Sequence, residues 1–85
     1  MDRSASFTIV IVRTPDGYKA VAPAFPRLIV EAHSSRAAYK QLKDRITREV
    51  GERFAISQPI PSDPVVQTRT LRLDLWHLRQ KEELQ

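Results

Sequence analysis

Two histidines and ten carboxylates are the side chains of this 85-residue chain that could do acid–base or metal chemistry. Their spacing argues against both. His33 stands beside Ser34 and His77 lies near the other end of the chain, so no HxxxH pair is available to grip a metal on one helix face. Surface or capping roles are the expectation for both. There is no cysteine, and the serines fall in a polar N-terminal stretch, a helix cap and a proline-rich segment, with no histidine–carboxylate set around them. Gly17 and Gly51 are the two glycines, too few for a phosphate-cradling loop. Among the acids, Asp16 belongs to a turn, Asp44 and Glu49 stand among lysines and arginines that can neutralise them, and Asp74 faces away from a row of leucines. A paired-acid site for metal-assisted phosphoryl chemistry is therefore not expected. The sequence predicts a protein that is not an enzyme, with no catalytic, metal-binding or cofactor-binding residues and no cofactor.

The formal charge of +4 raises nucleic acid as a partner, so the placement of the charge matters more than its total. Most of the excess lies in residues 34–53, where Arg36, Lys40, Lys43, Arg45, Arg48 and Arg53 face Asp44, Glu49 and Glu52. Interspersed acids are the mark of a solvated helix face more than of a phosphate-binding one. Nucleic acid stays as the alternative, through Arg36, Lys40, Lys43 and Arg48.

These side chains have to be carried by something, and residues 34–53 are the longest periodic stretch. Ala38, Tyr39, Leu42, Ile46 and Val50 form one apolar stripe at helical spacing. Ser34 and Ser35 supply an N-cap, and Gly51 is the expected stop. Before the helix, residues 7–13 form a β-branched and aromatic run, too short for a helix and apolar on both alternations, as in a central strand covered on two faces by the helix and by a second copy or partner, with partial exposure of Val10 and Val12 as the alternative. The tetrad Thr14, Pro15, Asp16, Gly17 predicts a tight turn and a β-hairpin returning through Tyr18. Pro23 and Pro26 bracket an irregular bend, after which residues 27–33 form a third strand. After the helix, Pro59, Pro61 and Pro64 enforce a stiff linker over residues 54–64. Leu71, Leu73 and Leu75 then alternate with Arg72, Asp74 and Trp76 over residues 65–76, which predicts a fourth strand. The last residues, from His77, read as a polar tail or a helical turn. The fold class is α+β: a three-stranded antiparallel meander, one main helix, then a fourth strand, β-β-β-α-β. Its expected core is Ile9, Ile11, Leu42, Ile46, Val50, Leu71 and Leu73.

The order of these pieces, over residues 7–76, resembles the HicB antitoxin family. The similar parts are the first strand leading into Asp16, Gly17 and Tyr18, the bend Pro23, Ala24, Phe25, Pro26 where the family has a PDLPG-like sequence, and the helix that follows. The proline-containing loop over residues 58–64 matches in position as well, while Arg27 replaces a glycine usual in the family. The resemblance implies a partial RNase H fold lacking the catalytic acids, and a single HicB-like domain over residues 1–85. It implies a partner that is a small RNase toxin of the HicA type. Family members commonly add a C-terminal DNA-binding part, for which residues 65–85 are too short, so that part is expected to be missing.

With an 85-residue chain near the lower limit of a self-sufficient core, help from self-association is expected. No stretch reads as a membrane span or as a signal sequence, and a cytoplasmic location is expected. The functional expectation is a non-catalytic protein-binding module of the antitoxin kind, a homodimer, docking through Trp76, Leu78, Arg36, Lys40 and Lys43. The alternatives are an adaptor or assembly subunit unrelated to toxins, or the basic nucleic-acid binder named above.

Overall fold

The computed structural model describes residues 4–78. Its elements are β1 (Val10–Thr14), β2 (Gly17–Ala22), β3 (Phe25–Ala32) and α1 (Ser35–Ala55), with the strands in the order β1-β2-β3 in one antiparallel sheet. This is the α+β meander-then-helix arrangement that the sequence predicts. Thr14 pairs with Gly17 across Pro15 and Asp16, so the hairpin closes where the turn tetrad places it. Gly17 holds φ at +154°, and a Cβ built there would lie 2.5 Å from the Ala32 carbonyl oxygen. Glycine is needed at this position because the turn packs directly on the end of β3.

Pro26 corrects one expectation, since it lies inside β3 instead of bracketing a bend. The reason is that β3 is an edge strand: among the described residues its outer row has no partner that would miss the proline's absent N–H. The register shift between Val21 and Ala22 absorbs the tight connection, and Ala22 pairs with Phe25.

Ser34 caps α1, its hydroxyl accepting from the Ala37 N–H at 3.1 Å. The helix passes through Gly51 without stopping. It ends four residues later, where the Gln58 N–H donates to the Arg53 carbonyl at 2.8 Å and the Ser57 N–H to Phe54 at 3.2 Å, with Ser57 at φ 57°. That is a Schellman ending with serine in the left-handed position glycine usually takes.

The helix lies over β2 and β3 and touches β1 least. Ala20, Ala22, Phe25, Val30, Ala38, Leu42 and Ile46 are buried between them, with Phe7, Ile9, Ile11 and Val50 packed at the margin. Three alanines let the helix approach the sheet closely, and Leu42 is the one large side chain that is completely buried among the described residues. Phe7 meets Phe25 edge to face at 5.3 Å between ring centres. Tyr39, expected in the apolar stripe, is exposed instead, because the buried row runs through Ala38, Leu42 and Ile46 and leaves Tyr39 on its outer shoulder.

The fourth strand is not formed. Residues 58–74 run without regular structure and pair with nothing as a ladder, and Leu71 and Leu73, expected in the core, are exposed. Their alternation is that of a strand, but among the described residues no strand pairs with them to complete it. From Asp74 the chain makes one helical turn over residues 75–78, and the expected tail lies outside the described residues from Arg79 onward.

Candidate functional site

The two faces of the sheet differ in what covers them. Ile11, Ala20 and Val30 are register partners on the face under α1, whereas Val10, Val21 and Ile29 are partners on the opposite face, which no element of the described residues covers. Val10, Val12 and Ile29 remain 41%, 43% and 47% exposed there. The next row on this face, Val12, Lys19 and Glu31, adds one charge of each sign beside the apolar row. The double alternation of residues 7–13 in the sequence thus has a structural meaning: Ile9 and Ile11 serve the core, and Val10 and Val12 lie on an open surface.

The sequence-derived docking residues fall on two other regions. Arg36, Lys40 and Lys43 are exposed and spaced to share one face of α1, away from the buried row. Arg48 is also exposed, but at 3.6 residues per turn it sits about a third of a turn from them. Trp76 and Leu78 lie in the terminal helical turn, both exposed and away from the core. Asp74 caps that turn, its Oδ1 accepting from the Trp76 and His77 N–H groups at 3.1 and 3.3 Å. The His77 imidazole lies 2.9 Å from Asp74 Oδ2, and this hydrogen bond, followed by that from the His77 backbone, holds the Asp74 carboxyl below its ordinary pKa.

Where the hairpin turn meets the start of α1, Asp16, Glu31 and His33 border an open recess of about 540 Å³. Among the described residues no group of three or more histidines or carboxylates is placed to hold a metal ion. No helix there is long and apolar enough to cross a membrane.

Two residues tie the linker to the domain. Arg53 bonds Glu49 at 3.0 Å, lies over the Phe25 ring at 5.8 Å and donates to the Pro59 carbonyl at 3.3 Å. Asp63 accepts from the Thr8 N–H at 2.8 Å and the Thr8 hydroxyl at 2.6 Å, and its other oxygen accepts from the Val65 N–H at 3.1 Å. The Thr8 hydroxyl is the main cause of a lowered Asp63 pKa, with the Val65 bond next. The i, i+4 spacing of Glu49 and Arg53 signals their pairing in the sequence, whereas nothing local signals a bond between residues 55 apart.

Set beside known proteins, the chain matches no family model, no curated protein and no solved structure.

Proposed function

We propose that this protein is a non-catalytic docking module that binds a partner protein through the open face of its sheet. The observation that carries this reading is the apolar row Val10, Val21, Ile29, which spans all three strands and is covered by no element among the described residues. A contiguous apolar surface of this kind is what protein interfaces use, with charged groups at the rim. Lys19 and Glu31 supply such a rim. Trp76 and Leu78 add exposed anchors of the type interfaces favour.

In its most specific form, suggested by the HicB resemblance, the module is a homodimeric antitoxin that masks a small RNase toxin of the HicA type. A general adaptor or assembly role uses the same face. The nucleic-acid reading is weaker, because Arg48 stands apart from the stripe of Arg36, Lys40 and Lys43.

Ile29→Lys tests the reading, since Ile29 is exposed and off the core. The expected result is an unchanged thermal melt together with lost binding and inhibition of a HicA-type RNase. If neither the parent nor the variant binds such an RNase, the antitoxin form fails. If instead the parent binds RNA with an affinity falling by about one log unit per log of salt for each phosphate contacted, and Arg36→Glu abolishes it, the docking reading gives way to the nucleic-acid one.

A further inference from the structure

The outer edge of β1 is where the fold is unfinished. In the order β1-β2-β3 it has no neighbouring strand among the described residues, and α1 covers it least. Next to the residues that lead into β1, an apolar groove of about 500 Å³ opens between Phe7 and the second half of the helix, lined also by Ile46, Val50, Phe54 and Ile60. Elsewhere in the same chain Leu71, Leu73 and Leu75 recur at every second residue, the period of a strand with one apolar face. They are nevertheless 79%, 54% and 73% exposed. A sheet edge lacks a strand, and a strand-patterned segment lacks a sheet.

We propose that residues 65–75 of a second copy of this chain form the missing strand beside β1, so that two molecules exchange these segments in a closed two-fold dimer. In that arrangement the leucine row fills the groove along α1, and Arg72 and Asp74 point to the other face.

The Asp63 contacts explain why the occupant is a second copy and not the molecule's own segment. Asp63 holds the root of the segment against Thr8 with one oxygen and turns the chain with the other through Val65, next to the rigid Pro64. Beyond it the segment stands off the domain, with Val66 99% exposed. Residues 65–75 reach about 36 Å when extended, against about 17 Å for a strand of the length of β1, so the segment has ample length to cross to a neighbour and line its edge. Reciprocal exchange satisfies both vacant edges at once, which closes the assembly at two chains. The unpaired backbone groups of an edge strand are what such an added strand satisfies.

The proposal rests on the docking reading only in requiring self-association, and the pure protein tests it without any partner. The chain has no cysteine, so introduced thiols report specific contacts. Val12→Cys places a thiol on β1, and Thr70→Cys, Arg72→Cys or Asp74→Cys places one in the segment. Mixing the β1 variant with each segment variant under mild oxidation is expected to give at least one disulfide-linked pair of different chains. Light scattering of the unmodified protein is expected to give twice the chain mass, and Leu71→Asp with Leu73→Asp to raise the dissociation constant at least tenfold. A monomeric mass at high concentration overturns the proposal. So does a dimer in which no β1–segment pair cross-links, or a chain carrying both cysteines that closes only on itself. Ile29→Lys separates this failure from failure of the docking reading, because Ile29 lies on β3 and the exchange uses the edge of β1.

Discussion

The helix stripe of Ala38, Leu42, Ile46 and Val50 and the alternating Leu71, Leu73 and Leu75 after Asp63 are both regular apolar patterns, and only the first is packed against a sheet. Leu42 is completely enclosed between α1 and the sheet, while Leu71 and Leu73 are in contact with solvent. The difference lies in the partner surface and not in the period. The helical stripe lands on a sheet already built from a local hairpin and its neighbour, whereas an alternating segment gains nothing until another strand offers it a ladder. A repeat of apolar residues specifies how a segment packs, and the rest of the fold decides whether it does.

The largest effect that tests this contrast is expected from Leu42→Ala. Removing a fully enclosed leucine side chain costs about 2–5 kcal/mol, and in a core with one such large residue it leaves little in reserve. Denaturant or thermal melts should show a cooperative transition shifted by that amount. Coincident melts would mean that α1 does not pack on the sheet as described.

The two glycines give a smaller pair of effects with opposite signs. Gly17→Ala forces a Cβ against the Ala32 carbonyl oxygen at φ +154°, a conformation that costs about 1–3 kcal/mol for other residues, so the hairpin should be destabilised by at least that much. Gly51 lies inside α1, and a Cβ there meets nothing within 4 Å. Gly51→Ala should therefore stabilise the protein by about 0.5–1 kcal/mol. A neutral or stabilising Gly17→Ala would show that the turn is not docked on β3.

These positions also show which parts of the structure were legible in the sequence. The hairpin follows from Thr14, Pro15, Asp16 and Gly17, and the start of α1 from Ser34, because in each case a few adjacent residues carry the whole signal. Gly51 misleads as a helix stop because its conformational freedom is permission and not instruction; the Ser57 ending depends on hydrogen bonds back to Arg53 and Phe54. Pro26 is readable as part of a strand only once β3 is known to be an edge. The double alternation of residues 7–13 predicts a central strand covered on both faces, and the structure corrects this: among the described residues β1 is an edge strand, and Val10 and Val12 lie on an open face because α1 packs on the other one. The Asp63–Thr8 bonds join distant parts of the chain, and no local pattern announces them.

Acid provides a way to loosen the junction between the two regions. Asp63 has its pKa lowered from 3.8 in the folded protein by bonds from Thr8 and Val65, so the folded state prefers the carboxylate. Its contribution is fully present above the unfolded pKa and is lost as pH falls through the lower folded one. The Thr8 amide proton should accordingly shift in an NMR titration with a midpoint below 3.8, and Asp63→Asn should remove that transition. A midpoint at or above the ordinary value would show that Asp63 does not hold the segment's root.

The smallest effect belongs to Leu73→Ala. In protein dilute enough to keep copies apart, Leu73 lies mostly in solvent, and a substitution away from the core changes stability by no more than about 0.5 kcal/mol. A loss approaching that of Leu42→Ala under these conditions would mean that the segment packs on its own domain, and both the contrast drawn here and the exchange of segments would fall. At high concentration the outcome should change. If Leu73 fills the groove beside Phe7 in a second copy, the same substitution lowers the melting temperature of the concentrated protein while leaving that of the dilute protein unchanged. The concentration dependence of one small substitution therefore separates an alternating pattern that is idle from one that is completed by a second chain.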